Sequence, residues 1–534
     1  MPRTPLLQHL ADALSAAAPR DTRSGRGQPN DGARHTRREF VKGAGIVAAG
    51  AVVLGHGVTA ARAASAATAG RESEPTVVVV GAGLAGLSAA YRLKRHGVRA
   101  VVLEGSTRLG GRCRTGRGLF DENQIIERGG ELIDTGHTAV RKLARDLGLD
   151  LVDVHRSEPT GSTELYFFDG VPYTVAHAVA DFQAVYPALQ ADATAAGYPT
   201  LYSSFTPEGK ALDHLSVRDW INTRVPGGVA SKLGRLLDVA YLIEYGAETT
   251  VQSSLNLVYL LSGSRDTELD VFGASDERFK VQGGNDLLVQ GLAAELGDQV
   301  RTAARLTSIR TNADGTITLG VDGVAGRRID ADQVVVTIPF TMLRQVDITH
   351  AGFDAVKTKA IRELELGSNT KLHLQFQRRR WNELGGTGTT FADTGYQSTW
   401  EATRGQAGRA GILVDYLGGD VASGFVSADP GASARRFLKQ IEPVLAGVAR
   451  LWNGKAVLDA WLANPWSRGA YAYWRVGQYT GFSGAERERS GNIHFAGEHT
   501  SIDFQGYLNG AVQSGIDAAT EILADLRVPN ALAG

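Results

Sequence analysis

A short apolar run, a glycine-rich turn and a helical repeat follow one another early in the chain. In PTVVVVGAGLAGLSAAYRL (residues 75–93) four consecutive valines precede the turn, and such a run predicts a parallel strand buried on both faces. LAGLSAAYRL then has apolar residues at helical spacing, and AVVLE (100–104) predicts a second strand. This order of elements predicts an α/β fold with a Rossmann-like parallel sheet.

The turn has the spacing G-x-G-x-x-G. Its first glycine permits a tight turn, the second lets backbone approach a diphosphate, and the third lets helix pack on strand. An acid at the end of the second strand accepts hydrogen bonds from ribose hydroxyls and disfavours the 2′-phosphate of NADP. We therefore predict a dinucleotide site at Gly81, Ala82, Gly83, Gly86 and Glu104. The alternative is a purely structural glycine turn.

A second glycine pair, flanked by arginines, follows in RLGGRCRT (108–115). A Gly-Gly pair can approach a diphosphate closely and the arginines can neutralise it, whereas the alternative is that they are surface charges. The stretch resembles the R-x-G-G-R motif of the flavin-containing amine oxidase family. The resemblance implies FAD rather than NAD and adds Gly111 and Arg112 to the predicted cofactor site.

The resemblance extends over most of residues 75–525. Its later motifs are FKVQGGNDLL, VVVTIPF, LGSNTKLHLQF, WSRGAYAYW and FAGEHTSIDFQGYLNGAV. It implies an FAD-binding Rossmann-like domain of the glutathione-reductase type, interleaved with a mixed α+β substrate-binding domain. The predicted FAD-binding segments are 75–149, 268–340 and 452–528. The predicted substrate-binding segments are 150–267 and 341–451.

The C-terminal section repeats the strand–turn–helix order. An apolar strand (492–495) meets Ala-Gly-Glu, and a helix of small residues begins near Tyr507. Under the resemblance, Gly497 approaches the ribityl phosphate and Glu498 accepts a hydrogen bond from a ribityl hydroxyl. The N-terminus of the helix favours the negative charge of the reduced flavin. The remaining predicted cofactor residues are Gly129, Gly130, Val300, Trp461, Gly497 and Glu498.

Three positions match catalytic residues of the family. Lys371 matches the lysine that holds a water against flavin N5, where its charge promotes electron transfer to dioxygen. Tyr471 and Tyr507 match two tyrosines that face each other before the flavin and guide the amine between their rings. The alternatives are structural: strand alternation would turn Lys371 outward, and the tyrosines would pack in the core. Ala470 stands where monoamine oxidases attach flavin through a cysteine, so we predict noncovalent FAD.

RGGELIDTGH (128–137) lies where the family lines flavin and substrate. Glu131 and Asp134 would suit a cationic group of the substrate, whereas Arg128 or an arginine of the other domain would bind a substrate carboxylate. Alternatively, Glu131 bonds backbone amides.

The resemblance implies that dioxygen oxidises a primary amine to an imine, with hydrogen peroxide as the second product. An L-amino acid oxidase is placed slightly ahead of a monoamine or polyamine oxidase. A tryptophan 2-monooxygenase, a desaturase-like flavoprotein and a nonenzymatic flavin-binding module stand further behind.

The N-terminal segment has the layout of an export signal. TRREFVK (36–42) resembles the S/T-R-R-x-F-x-K pattern of twin-arginine signal peptides, and the apolar run after it is too short to span a membrane. We expect residues 1–63 to be this signal peptide and 64–74 a flexible leader; an Ala/Gly-rich surface helix is the alternative. The implied route is export in folded form by the twin-arginine translocase to the periplasm or beyond, without stable membrane insertion.

Composition narrows the partners. Residues 64–534 carry 47 Lys/Arg and 53 Asp/Glu, a net charge of −6, which argues against nucleic acid. The single cysteine, Cys113, excludes an intrachain disulfide and a cysteine-based metal site. The histidines show no close paired spacing, so no metal is expected. The expected partners are an amine or amino acid and dioxygen, and the chain gives no signal for an oligomeric state.

Overall fold

The computed structural model describes residues 76–324 and 327–529, and the predicted signal peptide and leader lie outside them. The strands are β1 Val77–Val80, β2 Ala100–Leu103, β3 Thr115–Gly116, β4 Ile126–Glu127, β5 Leu151–Asp153, β6 Thr163–Phe168, β7 Val171–Tyr173, β8 Phe279–Val281, β9 Val300–Arg301, β10 Arg305–Thr311, β11 Ile317–Asp322, β12 Arg328–Ala331, β13 Gln333–Val336, β14 Asp347–His350, β15 Glu365–Leu366, β16 Asn369–Phe376, β17 Gly386–Ala392, β18 Ser398–Glu401, β19 Gly411–Gly418, β20 Trp452–Ala460, β21 Ala472–Tyr473 and β22 Ile493–Phe495. The α-helices are α1 Leu84–Arg95, α2 Thr138–Asp146, α3 Val175–Gln183, α4 Tyr186–Ala196, α5 Pro207–Asp213, α6 Val217–Arg224, α7 Lys232–Tyr245, α8 Ser254–Leu261, α9 Asp286–Leu296, α10 Phe340–Leu343, α11 Ala355–Glu363, α12 Arg380–Glu383, α13 Gly419–Ser423, α14 Pro430–Ile441, α15 Tyr479–Phe482 and α16 Leu508–Asp525.

A five-stranded parallel sheet forms the centre of the cofactor-binding part, in the order β22-β13-β1-β2-β9. The four valines of β1 are all buried, as their continuous apolar run predicts. Val77 and Val79 face the core that includes α1 and α16, whereas Val78 and Val80 face the core under β10 and β11. Segments far apart in sequence therefore meet in one Rossmann-like sheet.

Helices α1 and α16 cover one face of this sheet and approach each other very closely. A Cβ built on Gly515 of α16 would lie 2.2 Å from the carbonyl oxygen of Ala85 on α1, so glycine is required at this contact. Strand β13 ends at Val336, within the VVVTIPF motif. The hydroxyl of Thr337 instead donates to the carbonyls of Val80 and Gly81, which draws the chain across the glycine turn.

A seven-stranded sheet, β20-β16-β19-β18-β17-β6-β7, forms the second part together with helices α3 to α8. The mixed α+β architecture expected for the substrate-binding part is confirmed. Strand β20 lies within the segment 452–528 predicted for the cofactor-binding part, yet it pairs along β16 of this second sheet. Every residue of β16 is buried, because neighbouring layers cover both of its faces. Over the described ranges no helix is both long and apolar enough to cross a membrane.

Candidate active site

The two glycine turns predicted to bind a diphosphate pack against each other. The amide of Gly110 donates to the carbonyl of Ala82 at 2.8 Å, and Gly110 also forms an isolated parallel β-bridge with Gly83. Gly81 has a φ of +108°, and a Cβ on Gly86 would lie 2.0 Å from the Gly81 carbonyl. No atom would meet a Cβ on Gly83 within 4 Å, so the open side of the turn is where the cofactor backbone can approach.

Glu104 braces this turn from the end of β2. Its carboxylate accepts hydrogen bonds from the amides of Ala82 and Ser106, each at 2.9 Å. A carboxylate has further acceptor positions, and Glu104 lines the cavity described below. The predicted contact with ribose hydroxyls therefore fits this carboxylate.

Arg112 links the second glycine turn to the C-terminal motif. Its guanidinium contacts the Glu498 carboxylate at 2.5 Å and donates to the carbonyl of Ala470 at 2.8 Å. Glu498 also accepts the amide of Gly506 at 2.8 Å. Gly497 has a φ of +138°, a conformation that few L residues adopt. These contacts join three predicted motifs at one point.

The Gly129-Gly130 pair admits close neighbours on both sides. A Cβ on Gly129 would lie 1.9 Å from the Arg112 carbonyl, and one on Gly130 would lie 2.6 Å from Leu508. Trp461 is buried beside them, and its indole N–H donates to the Arg128 carbonyl at 2.9 Å.

One predicted cofactor residue lies apart from this group. Val300 sits on edge strand β9, pairs with Val102 and packs on the core of the parallel sheet. It is not among the residues that line the cavity, and its cofactor contact stays a prediction.

One cavity of about 1650 Å³ connects these turns with the predicted catalytic residues. Typical small-molecule sites occupy about 300–1,000 Å³, so this cavity has room for a large cofactor and a substrate together. Its walls include both glycine turns, Glu104, Trp461, Lys371 and the two predicted tyrosines. The glycine cradle and this volume fit FAD.

Lys371 is buried at 6% exposure, and the outward orientation considered as its alternative does not occur. Its ammonium donates to the carbonyls of Glu127 at 3.1 Å and Gly129 at 2.9 Å, and to the Glu131 carboxylate at 2.8 Å. It also lies 5.2 Å from the ring centre of Trp400. Lysine has three N–H donors, so this geometry engages all of them.

Glu131, predicted to face a substrate cation, pairs with two lysines of the chain. One carboxylate oxygen contacts Lys371, and the other lies 3.4 Å from the ammonium of Lys280. Burial alone would raise the pKa of Glu131, but the two lysine charges lower it to about 2. Glu131 is therefore ionised and bound to ammonium groups, not to the backbone amides considered as its alternative.

The two tyrosines line the same cavity. Tyr471 donates to the Glu244 carbonyl and exchanges a 2.8 Å hydrogen bond with Tyr416. Tyr507 immediately precedes α16. Burial raises the pKa of both hydroxyls well above 10, so both remain protonated.

Asp134 and His137 support Tyr507 from behind. Asp134 accepts hydrogen bonds from the Ser275 hydroxyl at 2.9 Å and the Glu277 amide at 3.0 Å, and its pKa is raised by burial to about 7. The His137 ring packs edge-on against Tyr507 with ring centres 4.8 Å apart, and burial lowers its pKa to about 3. Asp134, predicted to contact substrate, thus contacts Ser275 and also His137, whose ring packs on Tyr507.

Carboxyl groups are unusually frequent along the cavity wall beside the tyrosines. Of the carboxyl groups that line the cavity, five interact electrostatically with Glu277 or Tyr507 or belong to that pair's cluster: Asp134, Glu164, Glu244, Asp270 and Glu277 itself. Burial, followed by mutual repulsion, raises the pKa of Glu277 to about 8, and burial raises that of Asp270 to about 7. Glu277 is held at a φ of +42°, which is strained for a residue with a side chain.

The arginines considered for a substrate carboxylate already have partners. Arg128 pairs with Asp459 at 2.7 Å, and Arg404 pairs with Glu158 at 2.7 Å. Arg404 lines the cavity at 8% exposure, and its Nε has no hydrogen-bond partner within the described part of the chain. Arg404 is therefore the better placed of the two to meet an anion.

Several residues of the site are not among those predicted from the sequence. Glu244 and Tyr416 lie in stretches without a motif, so no signal could have placed them beside Tyr471. Lys280 lies in the FKVQGGNDLL motif and His137 in RGGELIDTGH. A lysine or a histidine inside such a motif is a signal that could have identified each of them. Across residues 76–324 and 327–529, no group of three potential ligands has the arrangement of a metal site.

Comparison with known proteins agrees with this geometry. The profile of the family described as flavin containing amine oxidoreductase matches residues 84–523. The nicotine dehydrogenase of Pseudomonas putida (strain DSM 28022 / S16) is 28% identical over 91% of this chain and 97% of its own length. The L-amino-acid oxidase of Echis ocellatus is 26% identical over 84% and 88%, respectively. The structure of wild-type putrescine oxidase bound to putrescine superposes with a TM-score of 0.73, at 22% identity over 84% and 99%.

Replacing Gly86 with alanine should remove the cofactor. The new Cβ would lie 2.0 Å from the Gly81 carbonyl, and overpacking of this kind costs about 1–3 kcal/mol. We expect the flavin content of the purified Gly86→Ala protein, read from its visible absorbance, to fall about tenfold or more. Ser88→Ala in the same helix is the matched control, because the buried Ser88 hydroxyl has no hydrogen-bond partner among the described residues. Equal flavin content in both variants would contradict the assigned role of Gly86.

The cofactor should leave the protein without breaking a covalent bond, because alanine occupies position 470 and its carbonyl accepts from Arg112. Heat or acid denaturation followed by centrifugation should leave all visible flavin absorbance in the supernatant. Colour that stays with the precipitated protein would disprove noncovalent binding.

Proposed function

Because the chain belongs to the flavin-containing amine oxidoreductase family, we propose that it oxidatively deaminates a primary amine that carries a second positive charge, with dioxygen as acceptor. The observation that supports a second charge on the substrate is the cluster of carboxyl groups that Glu277 and Tyr507 share on the cavity wall: Asp134, Glu164, Glu244, Asp270 and Glu277. A cation is attracted to such a wall in a medium of low dielectric constant.

FAD is the cofactor, and when bound it would take a hydride equivalent from the Cα–H bond of the amine, which leaves an imine, and would pass the two electrons to dioxygen, which gives hydrogen peroxide. The chain supplies binding and orientation. Tyr471 and Tyr507 hold the amine between electron-rich ring faces. The Tyr471 hydroxyl is held by the Glu244 carbonyl and Tyr416, and the Tyr507 ring packs against His137, so the rings keep their positions while the substrate enters.

Glu244 is a carboxyl residue that interacts electrostatically with both tyrosines. Its charge acts on both Tyr471 and Tyr507, and burial next to Glu277 and Asp134 raises its pKa well above 4.5. A carboxyl in this position can accept a hydrogen bond from a substrate ammonium. We assign Glu244 and Glu277 to the recognition of the second charge.

A basic L-amino acid is the second candidate. The unpartnered Nε of buried Arg404 favours it, since that group would meet a substrate carboxylate while the acids meet the side-chain cation. The similarity to the protein named L-amino-acid oxidase supports the same choice. An uncharged L-amino acid or a plain monoamine would leave the carboxyl wall without a partner.

We also propose export of the folded enzyme to the periplasm or beyond. Its support is the TRREFVK sequence and the need to insert noncovalent FAD before translocation. Exchange of Arg37 and Arg38 for lysine, followed by cell fractionation, tests it: the enzyme should remain in the cytoplasm.

The substrate class is tested with pairs of compounds that differ only in the distal amine. Anaerobic mixing of purified enzyme with cadaverine or L-lysine should bleach the flavin at least about tenfold more efficiently than pentylamine or L-norleucine. L-lysine exceeding cadaverine would select the amino-acid form. If none of the four compounds reduces the flavin, the proposed oxidation of this class of amines is wrong. Equal rates within a pair would contradict the proposed recognition of a second positive charge.

Glu244→Gln narrows the same test to one residue. We expect the preference for cadaverine over pentylamine to fall about tenfold, because an amide cannot balance the distal charge. Glu248→Gln, four residues further along, is the matched control, since Glu248 accepts the Asp420 amide outside the cavity.

The preference should also depend on pH. Below their raised pKa values the cavity carboxyls are protonated, so a cation must displace protons to bind. For Glu277 the neighbouring charges are Asp134, Asp270, Glu164 and Arg404, and the pKa is about 8.

We expect the ratio of kcat/KM for cadaverine over pentylamine to rise with pH between about 6 and 9, by up to about tenfold per unit. The reacting amine titrates alike in both compounds and cancels from the ratio. A ratio that stays flat over this range would show that the carboxyls do not titrate with binding.

A further inference from the structure

Lys280 is a second buried lysine behind the wall of the active site. It lies on β8 at 8% exposure, and its ammonium donates to the Ala402 carbonyl at 2.7 Å. The nearest carboxylate is Glu131, at 3.4 Å. Lys280 is absent from the cavity lining, whereas Glu131 and Lys371 belong to it. Lys280 is therefore linked to the cavity through its pair with Glu131.

The three side chains form a row, Lys280–Glu131–Lys371, with one anion between two cations. Each carboxylate oxygen of Glu131 faces a different lysine. An ionised carboxylate shared in this way neutralises neither lysine fully. The row thus carries a net positive charge next to the Gly129-Gly130 pair.

The groups around this row do not cancel its charge. His373 is fully buried and neutral, because burial and then Lys371 lower its pKa to about 3. Glu127 accepts hydrogen bonds from Thr115 and Asn285, and burial raises its pKa to about 7, so at neutral pH it carries only part of a charge. A positive potential therefore remains where Lys371 meets the cavity.

We propose that Lys280 is a positioning residue that keeps this potential at the cofactor. By holding one oxygen of Glu131, it prevents that carboxylate from pairing wholly with Lys371. The remaining charge favours negative charge on the reduced cofactor and on the dioxygen that takes its electrons. For the oxygen step this inference rests on the proposed use of dioxygen; for the cofactor's electronics it does not.

The test uses the flavin-loaded enzyme and inorganic sulfite, which adds to the oxidised flavin ring and leaves negative charge on it. Lys280→Met should weaken sulfite binding about tenfold and lower the reduction potential of the flavin, because Glu131 then neutralises Lys371. Reoxidation by dioxygen should slow to a similar extent, while anaerobic reduction by an amine changes less. Lys280→Arg, which keeps the charge, should retain near-normal sulfite affinity.

A double-mutant cycle separates the indirect role from a direct one. In the Glu131→Gln background Lys371 has no counter-ion, so adding Lys280→Met should change sulfite affinity less than twofold. The same tenfold loss in both backgrounds would mean that Lys280 acts on the flavin directly, and no loss in either would remove its role; both results overturn the proposal. Lys142→Met, at an exposed pair with Asp146, controls for general loss of lysine charge.

Sulfite binding needs no amine, so the two proposals fail separately. An enzyme that binds sulfite as expected but is not reduced by any amine would refute the proposed function and leave the role of Lys280 intact. Melting temperature and flavin content of each variant identify folding defects, and Lys280→Arg keeps the test decisive if the methionine variant misfolds.

Discussion

The ion pair between Arg112 and Glu498 holds the active site together. It joins the glycine turn after β2 to the segment before α16, across 386 residues of sequence. The same two side chains reach the Ala470 carbonyl and the Gly506 amide, which are the immediate neighbours of Tyr471 and Tyr507. This ion pair therefore links the neighbours of both tyrosines to the cofactor turn. Removing one partner of a buried pair typically costs about 3–5 kcal/mol, since it leaves the other charge without compensation.

The parts of the site that the sequence predicted are those where backbone geometry restricts the residue type. Gly81 and Gly86 occupy positions that no larger residue can take, so their spacing identifies the turn. Glu104 follows from its place at the end of a strand. The parallel sheet was predictable for the same reason, because β1 and β13 are continuous apolar runs buried on both faces.

Tertiary contacts decide the rest, and local patterns do not record them. Lys371 lies in a strand of alternating pattern, and alternation alone would turn its side chain outward. Both faces of this strand are buried, so the outward orientation does not occur. Glu244 ends a helix in a stretch without any motif, and only the packing of α7 against β19 brings it to Tyr471. Strand β20 joins the second sheet by pairing with β16, a partner that its own sequence does not specify.

Burial gives the ionisable groups of this cavity two different behaviours. Where a carboxylate meets ammonium groups, as Glu131 does, it stays ionised at low dielectric constant and fixes their positions. Where carboxyls meet mainly one another, as Glu277 and Asp134 do, their pKa values rise and they hold protons until a cation arrives. The first group keeps a permanent positive potential beside the cofactor, and the second provides a negative charge that develops with the substrate. Under the proposed function, a dication that entered this cavity would be repelled by the lysine row and attracted to the carboxyl wall, and its reacting amine would then lie between the tyrosines.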